Sequence, residues 1–129
     1  MRSIRSAAYI AWALYELLRH DLVAVFAGFQ GIHRRLLRTG IRRSPAAPAV
    51  QVAICRAMDG AVAVYPKRVM CLQRSMVTVS LLRKSGVGAS LVVGYRPAPF
   101  FSHAWVEVGD RVVDDQPAYR QRLKILFRA

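Results

Sequence analysis

Acidic residues are scarce in this chain of 129 residues: seven Asp and Glu stand against twenty Lys and Arg, a formal charge of +13. Cysteine is scarcer still. Two cysteines exclude a disulfide-rich scaffold, and neither Cys55 nor Cys71 sits in a CxxC or Cys/His zinc spacing. No metal is expected, and the setting is a reducing bacterial cytoplasm. Long hydrophobic runs are missing too. In the N-terminal third the longest stretches without a charge, Ser6–Tyr15 and Leu22–Ile32, fall short of the ~20 apolar residues that a spanning helix needs. The start of the chain loosely imitates a signal peptide, but Glu16, Arg19 and Asp21 stand where a small-residue cleavage site belongs. A phosphate-binding loop is also lacking, so no cofactor is expected and any use of ATP falls to a partner.

What is present is a hydrophobic content of 54%, enough to repay the entropy of ordering and build one domain with a core. All but three of the twenty basic residues are Arg, and eight lie in the first 44 residues. Such a field attracts nucleic acid, anionic lipid or an acidic peptide. The basic N-terminal stretch has no interleaved aromatics to stack bases and no helix-turn-helix signature, which argues against nucleic acid.

Helical spacing predicts Ser6–Leu18 and Asp21–Leu37 as two helices, the second with Leu22, Val25, Phe26, Phe29, Ile32 and Leu36 on one face and weakened by Gly28 and Gly31. Gly40, Pro45 and Pro48 mark a linker over Thr39–Pro48, and a third helix runs from Ala49 to Val64. Cys71–Lys84 is the strongest helix, closed by Gly86 with Arg83 and Lys84 in its last turn. Ala89–Tyr95, Ser102–Val108, Arg111–Asp114 and Lys124–Arg128 read as strands. Helices first and hairpins later make an α+β order with an antiparallel sheet. Residues 1–48 form a helical segment and linker, and 49–129 the core of what is one compact domain.

Cys71 begins its helix, where unpaired backbone N–H groups and the positive end of the macrodipole favour a thiolate and can hold an oxyanion. A histidine within reach activates such a thiol, and a carboxylate orients the histidine. His103 and the pair Asp114/Asp115 follow in that order. His103, Trp105 and Glu107 share a strand face. A three-residue loop at Gly109–Arg111 pairs Val108 with Val112 and brings Asp115 to that face; a two-residue loop at Gly109-Asp110 brings Asp114 there instead. By itself, a buried cysteine on a helix is more often a small hydrophobe than a nucleophile.

The block from Tyr65 to Asp115 carries CLQRS at Cys71, LLRKSG at the helix end, and PFFSHAWVE around His103. It resembles the transglutaminase-like, papain-like cysteine peptidases of lasso-peptide biosynthesis, in which CLxRS opens the catalytic helix and HAWVE carries the histidine. By position, the resemblance implies Cys71 as nucleophile, His103 as general base and acid, and Asp115 as the orienting carboxylate. It also implies a leader peptidase. Such an enzyme cuts a ribosomally made precursor, leader from core, so that a cyclase related to asparagine synthetase can close the macrolactam. Residues 1–48 are too short and too helical for the leader-recognition domain that some members fuse, so a separate leader-binding protein is expected, and the +13 surface is suited to dock it or an acidic leader.

Other residues have plainer readings. Trp105 walls the pocket or shields the catalytic pair, and Glu107 salt-bridges an arginine. Tyr65, six residues before Cys71, is a packing aromatic or a second oxyanion donor. Cys55 is a small buried residue, and His20 and His33 are surface groups. Two rival functions share these residues: a transamidase or peptidase of another modified-peptide pathway, and a non-catalytic basic binding protein in which Cys71 is structural.

Overall fold

The computed structural model describes residues 2–38, 48–97, 99–108, 111–113 and 123–128. Three helices, α1 (Arg2–Arg38), α2 (Pro48–Val64) and α3 (Cys71–Lys84), precede four strands: β1 (Ala89–Pro97), β2 (Phe100–Val108), β3 (Arg111–Val113) and β4 (Lys124–Arg128). The α+β order expected from the sequence is the one observed. The expected linker after α1 lies outside the described residues, apart from Pro48, which opens α2. Proline suits a first helical position because its missing N–H has no partner there anyway.

The break expected in the first helical stretch is displaced. Helix continues past Arg19-His20-Asp21, and the non-helical residue is Gly28, at φ 66° and ψ −169°. Nothing between Leu18 and Leu22 obliges the backbone to leave the helix, whereas Gly28 has no Cβ to oppose a positive φ. The apolar spacing that follows does not produce burial: Leu22, Val25 and Phe26 are exposed, and α1 enters the core through Ala13 and Leu17.

α3 is the central element. Its Met76, Val77, Val79, Leu81 and Leu82 are buried with Ala13 and Leu17 of α1, Ile54 and Met58 of α2, and Leu91, Ala104 and Val106 of the sheet. Each large aliphatic side chain removed from water here contributes roughly 1.5–3 kcal/mol. Gly86, at φ 92°, ends the helix as expected, and the Val87 N–H returns to the Leu82 carbonyl at 2.9 Å.

The sheet is antiparallel, in the order β3-β2-β1-β4. β1 and β2 pair from Ala89↔Val108 to Pro97↔Phe100, which sets His103 opposite Gly94. Strand alternation sends Ala104 and Val106 toward α3 and His103, Trp105 and Glu107 to the other face. On that face Val92, Trp105 and Leu123 form a second, smaller core. Gly94 is required there: a Cβ at this position would lie 2.7 Å from the Trp105 ring and 2.9 Å from Leu123.

Candidate active site

α3 opens on Cys71. Met70 before it is extended (φ −81°, ψ 163°) and supplies no side-chain cap, while its carbonyl accepts the Arg74 N–H at 3.0 Å. The amides ahead of Arg74 thus sit at a helix N-terminus with no cap from Met70, where an anion is favoured.

Three consecutive residues in this first stretch tie it to three different elements. Gln73 reaches α1, its Nε2 donating to Asp21 Oδ1 at 3.1 Å and facing the Leu17 carbonyl at 3.5 Å. Arg74 reaches α2, where Nη2 donates to Asp59 Oδ1. Ser75 reaches β2, its buried Oγ donating to the Ala104 carbonyl at 3.2 Å. That last bond joins the helix of Cys71 to the residue that follows His103. Apolar spacing along α3 does not reveal these ties; Gln73 and Ser75, buried with Thr78 among its apolar side chains, are polar positions that need partners.

Tyr65 takes part in the α1 tie. Its hydroxyl donates to Asp21 Oδ2, and Lys67 Nζ donates to Asp21 Oδ1 at 2.6 Å. Burial works to raise the Asp21 carboxyl, but the hydrogen bonds from Lys67, Tyr65 and Gln73 and the Lys67 charge outweigh it, and the net shift is downward. Burial, followed by the bond to Asp21 and its charge, pushes the Tyr65 phenol up to about 12. In this arrangement the Tyr65 hydroxyl is given to Asp21, and Tyr65 is not among the residues lining the cavity beside Cys71.

His103 stands in a column on the outer face of β2. Its ring centroid lies 6.2 Å from that of Phe101 and 6.4 Å from that of Trp105, with planes only 15° and 20° apart. Trp105 is in turn held fast: its Nε1 donates to Glu107 Oε2 at 2.9 Å, and Arg128 Nη1 donates to Glu107 Oε1 at 2.7 Å. Glu107 is only 1% exposed, so Arg128 and Trp105 satisfy a carboxylate that would be costly to bury alone. The expected pairing of Glu107 with an arginine is the one observed.

Cys71 and His103, 32 residues apart in sequence, line one cavity of about 280 Å³. Arg74, Ser75, Asp59 and Trp105 border it as well. Both Cys71 and His103 are half-buried, each with access to that space. Asp114 and Asp115 lie outside the described residues. The β2/β3 pairing that is described, Val108↔Arg111 and Val106↔Val113, is the two-residue register; the three-residue alternative, Val108 with Val112, is not formed. Cys55, expected to be buried, is half-buried and lines a second cavity beside α2, and His20, expected at the surface, is half-buried on α1. The side chain of His33 lies outside the described residues.

α3 opens on Cys71 and shares one cavity with His103 of the antiparallel sheet, and comparison of the sequence with known proteins gives the class of this fold. The chain belongs to the transglutaminase-like superfamily, whose signature matches residues 15–128. It is also similar to the microcin J25-processing protein McjB of Escherichia coli, with 41% identity over 56 residues, 43% of this chain and 27% of that protein. The chain therefore spans about a quarter of the length of this relative. No solved structure matches it significantly. Among the described residues, no helix is long and apolar enough to cross a membrane.

Proposed function

We propose that this protein is a cysteine peptidase that removes the leader from a ribosomally made lasso-peptide precursor. The observation that carries this reading is the shared cavity of Cys71 and His103. The superfamily and the likeness to a microcin-processing protein support it.

Cys71 Sγ attacks the scissile carbonyl carbon as its proton passes to His103, and the oxygen that gains charge meets the first-turn amides of α3. The C–N bond breaks as His103 gives its proton to the leaving amine. Water then attacks the thioester carbon as it gives a proton to His103, the C–S bond breaks to release the new carboxylic acid, and the sulfur takes the proton back from His103. The stack of Trp105 on His103, with the indole fastened to Glu107, limits ring motion of the base and keeps water from one side of it. The carboxylate that orients His103 is assigned to the Asp114-Asp115 pair. The resemblance puts it at Asp115, and Asp114 is the alternative.

The reading includes a separate leader-recognition protein that presents the precursor, and a cyclase related to asparagine synthetase that takes the trimmed product, all in the bacterial cytoplasm. The test is incubation of the protein with a precursor peptide and a candidate leader-binding protein. Leader release by the wild type and none by Cys71→Ala is the expected result; equal release by both variants, or release by neither with the partner present, refutes the proposal.

A further inference from the structure

A second cavity, of about 450 Å³, lies between α2 and β3. It adjoins the first: Asp59 and Val113 line both. On α2, Val52, Cys55, Arg56 and Asp59 follow one another at the spacing of a single helix face. Val52, Cys55 and Val113 make part of the lining apolar, while Arg56 from α2 and Arg111 from β3 bring positive charge from its two sides. The carboxylate of Asp59 is engaged by Arg74, and Arg56 and Arg111 are the two cations among the described residues of the lining. β3 is also the edge of the described sheet, on the side away from β1, and an edge strand can pair with an extended peptide.

We propose that this second cavity is a specificity subsite that takes an acidic side chain of the peptide substrate, its carboxylate held between Arg56 and Arg111. The proposal rests on the peptidase reading only for which bond is cut; binding in the subsite can be measured without turnover. An extended chain advances roughly 3.3 Å per residue, so a space adjoining that of the thiol is reached within about four residues of the scissile bond. Two arginines around one carboxylate discriminate strongly against a lysine at the same position.

Cys55 reports on the subsite directly. In Cys71→Ala it is the sole thiol of the chain, and it lines this cavity. The experiment measures the rate of Cys55 alkylation by N-ethylmaleimide in Cys71→Ala, with and without synthetic peptides that span the cleavage junction. In these peptides glutamate or lysine is placed in turn at each nearby position on both sides. At one position, glutamate should slow alkylation with an affinity about tenfold better than lysine. Arg56→Glu combined with Arg111→Glu should invert that preference, and both residues are exposed, so the exchange leaves the core untouched. No protection at any position, or equal protection by glutamate and lysine, overturns the subsite. Wild-type cleavage separates the two readings. Protection of Cys55 by a glutamate peptide that the wild type, supplied with its leader-binding partner, does not cut leaves the subsite standing and removes the peptidase; efficient cutting with no effect of any glutamate does the reverse.

Discussion

At its first turns α3 is fixed by Gln73, Arg74 and Ser75, which reach α1, α2 and β2 through directional polar bonds. At its far end Leu81 and Leu82 are buried in the core, Gly86 stops the helix, and Lys84 pairs with the buried Glu16 of α1 at 2.8 Å. The far end has polar ties as well, Lys84 to Glu16 and Arg83 Nε to the Ala89 carbonyl at 2.9 Å, but there they accompany apolar packing. Apolar packing is non-directional and supplies stability. Hydrogen bonds of defined length and angle contribute modestly to stability but specify position. The end that opens on Cys71 is the end held by three polar ties.

Substitutions can break this contrast. The largest effect is expected at the reacting atoms: Cys71→Ala abolishes leader cleavage, and His103→Ala lowers kcat/KM by about 10²–10⁴-fold, both with a thermal midpoint near that of the wild type. At the far end, Leu82→Ala costs about 2–5 kcal/mol in urea unfolding through the cavity it leaves, yet the protein that remains folded keeps its specific activity. Gly94→Ala belongs with it and costs about 1–3 kcal/mol, because the new methyl collides with the Trp105 ring. Ser75→Ala is expected to do the opposite. It costs only about 1 kcal/mol of stability but about tenfold in kcat, because Cys71 loses its tie to the strand of His103. Equal losses of stability and activity at Ser75 and Leu82 would erase the distinction.

The smallest effect concerns acid. Asp21 has a lower carboxyl pKa folded than its ordinary 3.8, so the unfolded chain binds that proton more readily. Its stabilisation is complete above the unfolded value and is lost as pH falls through the folded one. Urea midpoints measured from about pH 6 down to about pH 3 should fall less steeply in Asp21→Asn than in the wild type. A parallel decline in the two proteins would show that the carboxylate contributes nothing.

Much of this fold was legible because it is written locally. The bounds of α3 follow from a thiol-headed apolar run and the Gly86 stop, and the hairpin strands from alternation and turn residues. The pairing of Glu107 with an arginine followed from burying a carboxylate on a strand face, although alternation could not name Arg128, 21 residues away. Longer-range features were hidden for the same reason. Asp21 and Tyr65 are 44 residues apart, and no local pattern told that the phenol would serve α1. Helical spacing at Leu22, Val25 and Phe26 predicted a buried face, but α2 and α3 cover α1 around Ala13 and Leu17, so spacing without a partner left these side chains in solvent. The site was half legible. Cys71 and His103 were singled out by type, spacing and a family resemblance, and the structure puts both on one cavity, while the ties of Gln73, Arg74 and Ser75 needed the three-dimensional neighbours.

The most direct test of the account is the reactivity of the Cys71 thiol itself. In a Cys55→Ser background, the rate of Cys71 carboxymethylation by iodoacetamide is followed across pH, with and without His103→Ala. Labelling should be fast at neutral pH when His103 is present and slow when it is replaced. Identical profiles in the two proteins would mean that the imidazole and the sulfur share a cavity without acting on each other.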